Sequence, residues 1–332
     1  MSPAAGPDVL RLGTRGSRLA LWQADEVTRR LAAAHPGVEI RRVIVKTVGD
    51  KILDTPLSKI GDKGLFTKEL DIALRREEID IAVHSLKDLP TEIPEGLVIG
   101  AVLEREAPND VLVSAAGRRL MELPGGARVG TSSLRRRSQI LALRPDITIV
   151  DLRGNVPTRL ERAARGEFDA IVLARAGIVR LGFASRITEV LEPDLVLPAV
   201  GQGAVAVQHR SGDPRVAAMI GALDHRPTRL AVMAERSLLR RLEGGCQAPI
   251  GALAWIDGRR LAIEGLVAGL DGKPVFRAHE EGEAITEPAA AAIGVKLAED
   301  LLAMGGRELL DGIFRLARQA PLPSTGGGGE SA

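Results

Sequence analysis

Short runs rich in Val, Ile and Leu alternate along the first two thirds of the chain with longer stretches whose apolar residues recur every three to four positions. The short runs predict strands at residues 9–13, 38–46, 80–84, 127–130, 147–151 and 169–173. The longer periods predict helices at 17–34, 67–76, 133–143 and 156–165, the first of them capped by Ser17. A strand–helix rhythm of this kind belongs to parallel-sheet α/β domains. After Arg226 the pattern changes. A helix at 228–242 leads into a glycine-bounded loop. Strands at 253–256 and 261–268 follow, joined by the turn-forming pair Asp257–Gly258, and then an alanine-rich helix at 287–302, as in a smaller α+β domain.

A chain of 332 residues, 45% hydrophobic and 27% charged, is long enough for two or three domains with real cores. No run of 18 apolar residues suggests a membrane span, and the start lacks the pattern of an export signal. The single cysteine, Cys246, excludes an intramolecular disulfide, so a cytoplasmic setting is expected. Basic residues number 45 against 43 acidic ones, and only eight of the 45 are lysine. Arginine pairs two-to-two with carboxylate or phosphate, so its positions carry more information than a net charge of +2, part of the excess being attributable to codon bias. With five Phe, two Trp and no Tyr, the chain lacks the aromatic platforms of a nucleic-acid binder.

In parallel sheets, ligands collect beyond the carboxyl ends of strands, where helices begin. Three polar clusters fall at such places: Thr14 to Ser17, with Arg15; Thr131, Ser132 and Ser133 with Arg135 and Arg136; and Asp151 to Asn155, with Arg153 and, one turn on, Arg159. Each offers hydroxyls, backbone N–H groups or guanidinium forks to an anion, although a cap beside an exposed arginine is also an ordinary structural arrangement. A fourth cluster, from His84 to Pro90, places Ser85, Lys87 and Asp88 at a strand end. Asp88 there can donate a proton or balance a developing cation, or simply cap a turn. Cys246 follows two glycines and precedes Pro249, which suits a thiol on a tight accessible loop; a small buried side chain is the plainer reading. No His, Cys and Asp spacing matches a metal site.

The motifs Thr14-Arg15-Gly16-Ser17 with Leu21-Trp22-Gln23, Gly64 to Leu70, His84 to Pro90, Gly130 to Arg136, Leu152 to Asn155, Leu197 to Ala204 and Leu242 to Cys246 resemble the porphobilinogen deaminase (hydroxymethylbilane synthase) family along nearly the whole chain. The resemblance implies two periplasmic-binding-protein-like doubly wound α/β lobes and a smaller C-terminal α+β domain carrying the cofactor cysteine. Its expected divisions are 1–104 with 200–222, 105–199 and 223–320, followed by a flexible tail at 321–332. It implies head-to-tail condensation of four porphobilinogen molecules, with loss of ammonia, on a dipyrromethane cofactor joined by a thioether to Cys246. By motif, Asp88 is the catalytic residue. Arg15, Ser17, Ser85, Lys87, Thr131, Ser132, Ser133, Arg135, Arg136, Arg153, Asn155 and Arg159 are expected to bind the acid side chains, with Arg11, Lys59, Arg180 and Gln202 as further contributors. Residues 49–64 read as a lid over the site. Asp62 and Thr91 depart mildly from the family pattern. A monomer without membrane or nucleic-acid partners is expected. A two-lobed solute-binding protein, a thiol hydrolase and a lysine Schiff-base enzyme are the alternatives from other classes.

Overall fold

The computed structural model describes residues 8–47, 67–242 and 248–319; Lys59, Cys246, the expected lid at 49–64 and the tail at 321–332 lie outside the described residues. Strand β1 (Asp8–Thr14) buries Leu10 and Leu12 on one face, and helix α1 (Arg18–Ala34) covers them with Ala24, Val27 and Leu31. Its buried apolar positions 20, 24, 27 and 31 form the stripe that a helix lays on a sheet, with Gln23 buried beside them. The Ser17 hydroxyl accepts from Ala20 N at 3.3 Å and starts that helix, a contribution of about 1 kcal/mol. With β2 (Val38–Ile44), β3 (Ile81–Ser85), β4 (Leu97–Val102) and β10 (Val205–Arg210), β1 builds a five-stranded sheet in the order β2-β1-β3-β10-β4, and helix α2 (Lys68–Arg75) precedes β3.

The second sheet has the order β7-β6-β8-β5-β9, formed by β5 (Asp110–Ser114), β6 (Arg128–Gly130), β7 (Thr148–Val150), β8 (Ala170–Ala174) and β9 (Glu189–Leu191). Helices α3 (Leu134–Leu143), α4 (Val156–Ala164) and α5 (Arg175–Arg180) follow β6, β7 and β8. Neither sheet is wholly parallel. In the first, β10 runs antiparallel to β3 and β4, and in the second β5 runs antiparallel to β8 and β9. Both strands enter a sheet straight after the chain has crossed from the other one, between Val102 and Asp110 and again between Leu191 and Val205. The parallel rhythm foreseen from sequence is therefore correct for the strand–helix units and incomplete at the crossings.

The two crossings are bound together. Arg105 Nε donates to Gln202 O at 2.7 Å, and Glu106 N donates to Gly203 O. Gly203 has φ +89°, and a Cβ there would lie 2.2 Å from Glu106 O, so only glycine fits this approach. Glu235, fully buried on helix α7 (Arg226–Arg241), which follows α6 (Pro214–Gly221), binds the pair to the third unit. Its carboxylate accepts from Arg105 Nη1 at 2.5 Å, Gly201 N at 2.7 Å and Ala254 N at 2.8 Å.

That third unit is an antiparallel sheet, β11 (Ile250–Asp257), β12 (Arg260–Ala268) and β13 (Val275–Glu283), covered by α7 and α8 (Glu287–Leu301), with α9 (Arg307–Gln319) beyond. Leu238, Ile263, Leu297 and Leu301 are fully buried in its core. Asp257 pairs with Arg260, so the hairpin turns at Gly258 and Arg259. No described helix is long and apolar enough to cross a membrane.

Candidate active site

The carboxyl ends of β1, β3, β6 and β7 each lead into a turn that carries expected site residues. After β1 come Arg15 and the α1 cap Ser17; after β3 a short 3-10 turn, Leu86–Asp88, holds Lys87 and Asp88. Leu86 anchors this turn in an apolar cluster with Leu89 and Val102, and its two charged residues lie partly buried beside that cluster. Arg15, Ser17, Ser85, His84 and Asp88 line one cleft with Thr67. The Ser85 hydroxyl accepts from Gln23 Nε2 at 2.8 Å, which ties the turn to α1.

In the second sheet, Ser133 caps α3 and Asn155 caps α4, the latter accepting from Thr158 N at 3.0 Å. Thr131 Oγ1 accepts from Ser133 N, and the Ser132 hydroxyl both donates to Leu152 O and accepts from Leu152 N, which stitches the two turns together. These hydroxyls thus have structural duties within the turns. Gly154 adopts φ +108°, and its carbonyl accepts from Arg159 Nε at 2.7 Å, bending that side chain back over the loop.

Arg135 and Arg136 are buried, and both meet a residue that the motif reading missed. Asp110, at the start of β5 and fully buried, lies 2.8 Å from Arg135 Nη2 and 2.7 Å from Arg136 Nη2. Gln202 Nε2 donates to the same carboxylate at 2.8 Å, while its Oε1 accepts from Lys87 Nζ at 3.2 Å. Burial works against the Asp110 carboxylate, but the two guanidinium groups hold it well below the usual range. Burial lowers Lys87 to about 8, with Arg136 adding to the fall and Asp88 and Asp110 opposing it. Arg159 is lowered to about 10 by burial and by Arg136 and Arg153, against the pull of Asp88. Lys87, Asp88, Arg135, Arg136, Arg153 and Arg159 therefore share one electrostatic neighbourhood drawn from both sheets. Asp110 opens a short apolar strand outside the anion-binding turns, and nothing in the sequence marks it as the partner of two arginines on α3.

Two expected contributors have other engagements. Arg11 lies on β1, where its Nε and Nη2 form a two-pronged pair with Asp80 at 3.0 and 2.7 Å; Asp80 directly precedes β3, at the end of the strand away from the site. Arg180 donates from Nη2 to Gly203 O at 2.7 Å and stacks over Trp22 at 5.1 Å, while Arg18 faces the Phe183 ring at 5.8 Å, so α1 and α5 are clasped across the two lobes. His84 is buried behind the Asp88 turn. Its Nε2 lies 3.0 Å from Gln208 Oε1, and Gln208 Nε2 donates to Asp71 Oδ1 at 2.9 Å. The carboxylate fixes the amide orientation, and the amide oxygen then requires a proton on His84 Nε2. Desolvation lowers His84 to about 4 and raises Asp71, so the imidazole is neutral at pH 7.

Comparison with known proteins decides the family. The model "Porphobilinogen deaminase, dipyromethane cofactor binding domain" matches residues 10–218, and "Porphobilinogen deaminase, C-terminal domain" matches 229–303. The chain belongs to the porphobilinogen deaminase family. The porphobilinogen deaminase of Pelotomaculum thermopropionicum is 56% identical over 91% of this chain and 96% of its own, and that of Carboxydothermus hydrogenoformans is 52% identical over 93% and 98%. Among solved structures, the methionine binding protein MetQ aligns with 65% of this chain and 89% of its own at 12% identity, with a TM-score of 0.42. The enzyme has porphobilinogen deaminase activity, a hydroxymethylbilane synthase transferase reaction of tetrapyrrole biosynthesis, and contains a dipyrromethane-binding domain. The residues present fit such a polyacidic group. Arg135 Nε, Arg136 Nε and Arg153 Nη1 are buried donors without hydrogen-bond partners among the described residues, and carboxylates are the acceptors that suit them.

Proposed function

We propose that the enzyme holds dipyrromethane through Cys246 and binds the acid side chains of cofactor, growing chain and incoming porphobilinogen with Arg15, Lys87, Arg135, Arg136, Arg153 and Arg159. The reading is carried by the convergence of these cations from two sheets in one neighbourhood that includes Asp88, with buried guanidinium N–H groups lacking acceptors among the described residues. When bound, the cofactor supplies the free pyrrole α-carbon that extends the chain. The protein's own contribution is to bind, align and neutralise. Asp88 faces the cleft from a turn anchored by Leu86, where its carboxylate can accept from a pyrrole N–H and steady positive charge on the substrate as ammonia departs.

The turn hydroxyls of Ser17, Ser85, Thr131, Ser132 and Ser133, with Asn155, hold the helix starts open toward the ligand and add hydrogen bonds through their remaining capacity. Gln202 orders Lys87, and Arg180 helps to close the cleft. Arg11 is left out of this set because its fork is occupied by Asp80; Lys59 is retained on motif alone. The division of the chain at 1–104 with 200–222, 105–199 and 223–320 suits the crossings at 102–110 and 191–205. A cytoplasmic monomer with porphobilinogen as its small-molecule partner completes the reading.

The test is the intact mass of the denatured enzyme beside that of Cys246→Ser. A covalent excess equal to two deaminated porphobilinogen units, absent from the variant, is expected. An unmodified mass that persists after incubation with porphobilinogen or hydroxymethylbilane would overturn the attachment.

A further inference from the structure

We propose that Asp110 is a positioning residue for this reaction: its buried carboxylate fixes the forks of Arg135 and Arg136 and, through the Gln202 amide, the ammonium of Lys87, and it competes with ligand carboxylates for those cations. The inference rests on the reading that these cations bind substrate acids. Its geometric basis is independent of that reading. Asp110 Oδ1 accepts from Arg136 Nη2 and Gln202 Nε2, while Oδ2 faces Arg135 Nη2 at 2.8 Å. Gln202 also donates to Pro108 O at 2.6 Å, so both its amide protons are directed and its oxygen is turned to Lys87. The outer prongs of the arginines are fixed as well, Arg135 Nη1 on Leu197 O at 2.7 Å and Arg136 Nη1 on Val172 O at 2.9 Å. Each guanidinium is thus held at two corners, with its Nε still without an acceptor among the described residues.

The charge balance explains why an acid belongs here. Three cations surround one anion, so the array keeps an attraction for incoming carboxylates while the repulsion between neighbouring guanidinium groups is relieved. Asp110 stays ionised throughout the working pH range because those same guanidinium groups hold its carboxylate down. Removing its charge but not its shape therefore has two opposed effects. Anions are drawn in more strongly, and the forks lose their common anchor. A residue that merely supported the fold would lower the amount of folded enzyme and leave the kinetics of the folded fraction unchanged.

The experiment compares holoenzymes of wild type, Asp110→Asn and Asp110→Glu, with turnover normalised to enzyme carrying the covalent cofactor. Citrate serves as a competing tricarboxylate, and the pH dependence of Lys87 acylation reports its titration. In Asp110→Asn, kcat falls at least tenfold without a rise in KM. Citrate inhibits at least about tenfold more tightly, the effect on a single ligand carboxylate of removing one charge at about 10 Å and an effective dielectric near 20, and the Lys87 midpoint moves to lower pH. Asp110→Glu recovers part of kcat. Unchanged citrate affinity, or a rise in KM at constant kcat, would overturn the proposal. Should Asp110→Asn fail to fold, Gln202→Met cuts the link to Lys87 alone, and an unmoved Lys87 midpoint there overturns the relay. Absence of citrate inhibition in wild type would instead strike the carboxylate-binding reading itself.

Discussion

His84 gives the enzyme a defined weakness to acid. The imidazole is buried behind the Asp88 turn and donates to Gln208, and its affinity for a second proton falls from the ordinary value of 6.5 to about 4. Between those values the unfolded chain binds a proton that the folded chain refuses. Stability contributed by neutral His84 is therefore fully present above pH 6.5 and is lost as pH falls toward 4. The slope is about 1.4 kcal/mol per pH unit inside the window, which gives a loss of about 2 kcal/mol between pH 7 and pH 5. Asp71 works in the opposite direction, since its raised pKa lets the folded state take up a proton sooner. The measurement is urea unfolding by circular dichroism at both pH values, for wild type and for His84→Asn, which keeps a donor but cannot titrate. Wild type should lose about 2 kcal/mol more than the variant on acidification. Equal losses in the two proteins would refute the assignment of a neutral, proton-refusing His84.

Asp88→Asn should keep the circular dichroism spectrum and lose about a hundredfold or more in kcat, the scale of a lost charge-bearing catalytic group; near-normal turnover would remove Asp88 from the chemistry. Lys87 is charged below about 8 and neutral above it, so KM for porphobilinogen should rise about tenfold from pH 7 to pH 9, a rise that Lys87→Arg abolishes. Glu235→Leu leaves Arg105 and two backbone N–H groups without their acceptor and should destabilise the enzyme by about 3–5 kcal/mol, measurable by denaturant titration.

The elements legible in the sequence were those with a strong local signal. The α1 stripe beneath its Ser17 cap and the hairpin turn beside Gly258 are set by neighbours in the chain. Strands β5 and β10 are buried on both faces, with no alternation to mark them, and their antiparallel placement depends on the crossings between sheets. Strand β13 was missed for a different reason: its charged sequence, Val275 to Glu283, guards an exposed sheet edge and reads as polar loop. The site divides in the same way. Arg15, Lys87, Asp88 and Arg153 sit in turns that their own motifs dictate. Asp110, Gln208 and Glu235 acquire their partners only when segments far apart in sequence meet, and a motif reading of one strand or helix contains no trace of that meeting.

The buried Glu235 carboxylate also has a mechanical consequence. It receives hydrogen bonds from the crossings at Arg105 and Gly201 and from β11 at Ala254, and it is carried by α7, the helix that packs on the C-terminal sheet. The two crossings between the sheets and the C-terminal sheet therefore share one ionic node, and a displacement at either crossing is passed directly to α7 and the strands it covers.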